Sequence, residues 1–139
     1  MTSARAAGAG AAAALVWGAL EPLDTRLLRH DYSDVALLGK AVTRTRAWPL
    51  AGLALHAANG AVFGLVYREA RRRYGVSAVQ LALVESTALF PLACVIDRIH
   101  PARGSRGLAP LFTARGFVQT TARHLVFGAV LDRLAGRGG

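Results

Sequence analysis

The sequence predicts an all-α transmembrane protein, a four-helix up-down bundle with a partly helical polar connection between its first two spans. Three observations carry that expectation. Four apolar blocks divide the 139 residues, and 53% of the chain is hydrophobic. Only 18% is charged, against about 25% in ordinary soluble domains, and the mean hydropathy is +0.34. The basic residues gather between the apolar blocks, as around membrane spans. Lipid offers no hydrogen bonds, so spanning segments must satisfy their own backbone. The alternation that barrel strands need is absent.

The first block runs from about Ala6 to Leu20 and extends through Pro22 and Leu23 if Glu21 is buried, giving a span of about 6–23. Arg5 followed by "AAGAGAAAALVWGAL" has the basic start and apolar stretch of a signal peptide. No convincing small-x-small cleavage site precedes Glu21 and further spans follow, so the block is read as a retained anchor, with a cleaved signal as the alternative. The connector, 24–46, is polar with scattered leucines. Within it "SDVALLGKAV" is expected to form a short helix capped by Ser33 or Asp34. Glu21 with Pro22 is read as the boundary of the first span.

The second span, 47–67, has no formal charge and carries Trp48 and Tyr67 near its ends, where amphipathic aromatics prefer to sit. The third, 76–96, contains Gln80, Glu85 and Pro91. Pro91 is expected to kink it, and "DRIHP" to end it, because a following proline disfavours helix at His100. The fourth block, Leu111 to Leu131 and on to about 133, is interrupted by Arg115, Gln119, Arg123 and His124. Its polar stripe must face a protein interior or water. Short connections, "GVS" and "RGSRG", make antiparallel neighbours. One domain, 1–139, accounts for the whole chain.

The formal net charge is +9, with Lys40 the only lysine. A basic balance of this size fits nucleic acid or an anionic membrane surface. Arginines placed between apolar blocks favour the lipid bilayer as partner, with no nucleic acid, and a multi-pass location in the cell inner (plasma) membrane. Orientation is left open. An inside N-terminus puts seven cations within (Arg5, Arg68, Arg71, Arg72, Arg73, Arg133, Arg137) and eight outside (Arg26, Arg29, Lys40, Arg44, Arg46, Arg98, Arg103, Arg106).

Polar residues at mid-depth are the candidate site: His56, Asn59, Glu85, Gln119, Arg123 and His124. A centred Asp, Lys or Arg costs about 2.5–3.5 kcal/mol facing lipid, so mutual pairing is expected, with Glu85 neutralising Arg123 through two parallel hydrogen bonds. Gly52, His56, Gly60 and Gly64 recur every four residues on one helix face, and Gly60 with Gly64 forms the small-xxx-small pattern of close helix packing. That face serves packing within the chain or in a homo-oligomer or membrane-protein complex. Cys94 is alone, so neither an intramolecular disulfide nor a cysteine-based zinc site can form. The "HDYSD" stretch, with His30, Asp31 and Asp34, reads as a capped helix start, and no metal or cofactor is expected. Hydrolase, nucleotide-binding and metalloprotease motifs are missing, so no catalytic residue is assigned.

The segments "LHAANGAVFGLVY", "LVESTALFPLACVIDRIHPARG" and "ARHLVFGAVLDRL" together resemble small four-span membrane proteins of unknown function from GC-rich bacteria. The likeness covers most of the chain after Tyr32. It implies a four-span architecture, makes Asp97 a further position of interest beside the mid-depth set, and carries no activity. The expected function is therefore binding, interaction or assembly through a polar intramembrane network. The second expectation is a proton- or ion-coupled transport element using Glu85 and Arg123. The third is a membrane haem-binding protein, with His56 and His124 as ligands, or an enzyme.

Overall fold

The computed structural model describes residues 1–136. It is all-helical: α1 (Ser3–Leu28), α2 (Asp34–Val42), α3 (Trp48–Tyr74), α4 (Ala78–Ile99) and α5 (Ala114–Gly136). Among the described residues β structure is limited to one isolated bridge, Tyr32 to Leu108.

Local chemistry sets the ends of these helices. The Thr2 side chain caps α1 at the Arg5 amide, 3.3 Å. Ser33 is the N-cap of α2. Trp48-Pro49 opens α3, where a missing N–H costs nothing, and Gly75 closes it at φ 68°. Ser77 and Gln80 form a reciprocal capping box at the start of α4. His100, extended ahead of Pro101, ends it. The fourth apolar block turns helical only from Ala114, three residues later than the block itself. The Leu111 and Phe112 amides donate instead to the Asp97 carboxylate, at 2.9 and 2.7 Å. Those bonds hold the approach to α5 as a loop against the end of α4.

The long helices alternate in direction and stand in the order α3, α1, α5, α4, with α3 and α4 scarcely touching. Small residues set how closely α1 and α3 approach. A β-carbon on Gly10 would lie 2.0 Å from the Gly60 carbonyl oxygen, and one on Gly64 2.1 Å from that of Ala6. Gly60 meets Gly10 and Ala14 in the same way. The glycine row of α3 therefore packs within the chain, its upper member, Gly52, against α2. Gly128 brings α5 close to α4, where a β-carbon would lie 2.7 Å from the Val79 Cα.

The position of α2 is the feature that most shapes the interior. Gly52 abuts the Val35 carbonyl and Gly39 abuts that of Trp48. As α2 advances from 35 to 39, its contacts on α3 recede from 52 to 48, so the two are antiparallel. The chain leaves α1 at Leu28, doubles back through 29–33, and starts α2 beside Glu21, about two helical turns below the end of α1.

Three helices, α1, α3 and α4, are long and apolar enough to cross a membrane. The charge-interrupted α5 is not among them. Leu15, Leu50, Val62, Val84, Leu92 and Val118 are among the large apolar side chains left exposed, and they come from all four long helices. Water would disfavour so wide an apolar surface, whereas lipid does not. These helices are those of a membrane protein.

Candidate functional site

Arg123 is buried at the meeting of α1, α2 and α5, with 4% of its surface exposed. Its Nη2 donates to Asp24 Oδ1 at 2.6 Å and its Nε to Asp24 Oδ2, a two-pronged pair. Nη1 donates to Asp34 Oδ2 at 2.8 Å and lies 3.6 Å from Glu21 Oε1. Nη2 also reaches the Tyr32 carbonyl at 2.9 Å, and the guanidinium sits 5.3 Å from the centre of the Tyr32 ring. Three carboxylates thus surround one guanidinium, which corrects the expected pairing of Arg123 with Glu85. The chain folds α2 back beside Glu21 and Asp24, so carboxylates closer than Glu85 take every face of the arginine.

Glu21 is not a boundary charge. It is 6% exposed and caps α2, accepting from Ser33 Oγ at 2.5 Å and from the Asp34 amide at 2.8 Å. The partial positive charge of a helix N-terminus favours a carboxylate there. Gln119 braces the cluster, donating to Asp24 Oδ1 at 2.9 Å and to the His30 carbonyl at 3.2 Å. Burial pushes the Tyr32 hydroxyl well above its ordinary pKa, and the charge of Asp34 adds to that, so Tyr32 keeps its proton and donates it to Asp34 at 2.7 Å. Burial lowers His30, and its ring is held neutral.

About one turn back along α1, toward its N-terminus, the character changes. Trp17 packs edge-on against His56 of α3 and His124 of α5, with ring centres 5.2 and 4.9 Å apart. His124 Nδ1 lies 2.7 Å from the Thr120 carbonyl, and a carbonyl only accepts, so Nδ1 carries a proton. Its Nε2 faces Glu85 Oε2 at 3.6 Å. An unprotonated nitrogen facing a carboxylate would set two acceptors against each other. Glu85 and His124 form an ion pair when the ring is protonated at Nε2 as well.

His56 is 7% exposed, and its Nε2 has no partner. The Trp17 indole N–H is likewise buried without a partner. His56, His124 and Glu85 line a groove of about 280 Å³ between α3 and α4, floored by Trp17 and roofed by Leu37 and Leu38 of α2. Past Asn59 and Glu85 it continues into an open recess of about 480 Å³, walled by Val62 and Val84. Asn59 stands exposed at the rim.

The six polar residues singled out by depth thus fall into two groups. Gln119 and Arg123 belong to the ionic cluster; His56, Asn59, Glu85 and His124 belong to the groove. Glu21, Asp24, Tyr32, Asp34 and Trp17 were missed. Glu21 and Asp24, three apart on one helix face, were the available signal; the fold-back that brings Tyr32 and Asp34 to them had none. His100 and Asp97 serve the loops instead, the first at the Leu37 carbonyl, 2.9 Å, the second at the start of α5. Among the described residues no group of three His, Cys, Asp or Glu is placed to hold a metal ion. Compared with known proteins, the chain matches no family model, no curated protein and no solved structure.

Proposed function

We propose that this is a four-span protein of the plasma membrane that acts by binding, and that the groove between α3 and α4 takes an apolar chain from the plane of the bilayer. The observation that carries this reading is the separation of α3 from α4, which opens a lined groove toward lipid. Its walls are apolar and its polar groups few and converging, as in sites for small ligands. α5 is counted as a span although it is charged. Its arginine at mid-depth points inward to Asp24 and Asp34, Val118, Leu125 and Val126 are exposed along its middle, and its exposed Arg115 and Arg133 stand near its two ends.

The architecture is tested by labelling with a membrane-impermeant maleimide in intact cells, in a Cys94→Ser background. Single cysteines replace Ser3, Ser105 and Gly136. Four spans require Ser3→Cys and Gly136→Cys to react from one side and Ser105→Cys from the other. If Gly136→Cys reacts from the same side as Ser105→Cys, α5 does not cross.

A second reading is a proton-coupled transport element, favoured by Glu85 and His124 facing one another at 3.6 Å beside the groove. Its counter-group is His124 and not Arg123, which is already engaged by three carboxylates. Proton flux in proteoliposomes that disappears with Glu85→Gln supports this reading, and flux that persists removes it.

A further inference from the structure

Two polar side chains stand where the α3–α4 groove opens to lipid, Asn59 on α3 and Glu85 on α4, and both line its inner and outer stretches. They lie at about the same depth. The Tyr67 hydroxyl and the Ala78 amide donate to one oxygen of Asp132, which puts the two helices level there. Asn59 is eight residues before Tyr67, roughly 12 Å of helix rise, and Glu85 is seven residues after Ala78, roughly 10 Å. Neither is shut away. The Glu85 side chain is 38% exposed, and Asn59 is exposed across the opening from it. A carboxylate is thus within reach of whatever enters the groove from the bilayer.

Charge decides what that carboxylate can hold. An ionised group at this depth is costly unless an opposite charge meets it. Among the described residues the basic side chain facing Glu85 is His124, at 3.6 Å, which is charged only when its ring carries a second proton. No lysine or arginine is among the described residues that line the groove, and Arg123 is enclosed by Asp24, Asp34 and Glu21. Four carboxylates therefore stand against one guanidinium around the interior, and the groove has a negative potential. A head bearing phosphate or carboxylate would be repelled there, and an alcohol would leave Glu85 unbalanced. A bare divalent ion needs six or so oxygen ligands, and no group of three His, Cys, Asp or Glu among the described residues is placed to hold one. An organic ammonium meets the requirement, because its N–H gives the carboxylate a charge-assisted hydrogen bond. The walls, Phe63, Leu89 and Phe127 within and Val62 and Val84 outside, suit a hydrocarbon chain attached to it.

We infer that the α3–α4 groove binds a protonated long-chain amine taken from the bilayer, its ammonium group donating to Glu85 at the opening while its chain lies between α3 and α4. This rests on the proposed binding function of the groove and specifies the chemical class of its ligand.

The test titrates the full chain in maltoside micelles at neutral pH with tritium-labelled dodecylamine, bound label being read by scintillation proximity. Unlabelled dodecylamine, dodecanol and dodecanoate compete for the site. The amine is expected to bind about tenfold more tightly than dodecanol, as one charge-assisted hydrogen bond allows, and dodecanoate more weakly than dodecanol. Glu85→Gln should lower amine affinity about tenfold, by the loss of that bond, and leave dodecanol unchanged. Val62→Phe with Val84→Phe narrows the outer groove while keeping the Glu85 carboxylate, and should weaken amine and alcohol alike. Equal binding of amine and alcohol by the parent protein, or amine binding unchanged in Glu85→Gln, overturns the cation site; weaker binding of both ligands by the valine variant then leaves the groove reading standing. Binding that does not saturate for either ligand, or that ignores the valine substitutions, overturns both.

Discussion

Arg123 of α5 donates to Asp34, the first residue of α2, at 2.8 Å, and holds Asp24 of α1 with its other edge. One side chain thereby fastens three helices, and the shortest of them is the one with least apolar surface of its own. Without that pair α2 would retain its glycine contacts with α3 and the Glu21 cap, but would lose the group that balances three carboxylates.

Removing the arginine should therefore be far more damaging than removing Glu85. Arg123→Met leaves Glu21, Asp24 and Asp34 facing one another, and breaking a buried pair in this way costs about 3–5 kcal/mol. Glu85→Gln, with 38% of its side chain exposed and a partner at 3.6 Å, should change stability by about 1 kcal/mol or less. Denaturant titration in micelles, followed by circular dichroism, compares the two. Equal losses would show that Arg123 does not hold the fold together.

Glycine substitutions separate close packing from composition. Gly10→Ala or Gly60→Ala places a methyl 2.0–2.5 Å from backbone or Cβ atoms across the α1–α3 interface. Overpacking of that kind costs about 1–3 kcal/mol. Gly8 has open space at the same point, and Gly8→Ala should be neutral or stabilise by about 0.5–1 kcal/mol. Thermal melting of the three variants measures the contrast.

Asp132 caps a helix other than its own. Its carboxylate accepts from the Ala78 and Val79 amides, at 2.9 and 3.3 Å, and from the Tyr67 hydroxyl at 2.7 Å. Asp132→Ala should cost about 0.5–2 kcal/mol, the range for a lost cap. Amide hydrogen exchange should quicken at the first turn of α4 before anywhere else. Uniform quickening along α4 would contradict the capping role.

Stability should also respond to pH through His30. Burial lowers its pKa from the ordinary 6.5, so the unfolded chain takes up the proton first. The contribution is present above pH 6.5 and is lost as pH falls through the lower folded value. His30→Gln should flatten the fall in melting temperature below pH 6.5 relative to the parent protein. An unchanged slope assigns the effect to other groups.

Much of the architecture was legible along the chain because apolar length and small-residue spacing are local properties. The three uncharged-to-sparsely charged blocks are helices long enough to span, and the row Gly52, Gly60, Gly64 lies where helices cross closely. The short helix after Ser33 was legible too, from its cap and its apolar spacing. What spacing cannot convey is which polar group meets which. Depth alone pairs Glu85 with Arg123, since both stand near the middle of their blocks. The tertiary structure separates them by folding 29–33 back into the interior, so that Glu21 and Asp24, which looked like the end of a span, meet Arg123 first. A strong charge pairs with the nearest opposite charges available once the backbone is placed, and that placement depends on a reversal of the chain that no periodicity records. The sequence by itself determined the helices and their affinity for lipid; only the packed structure decided that the arginine is a lock and that the open groove belongs to Trp17, His56, Glu85 and His124.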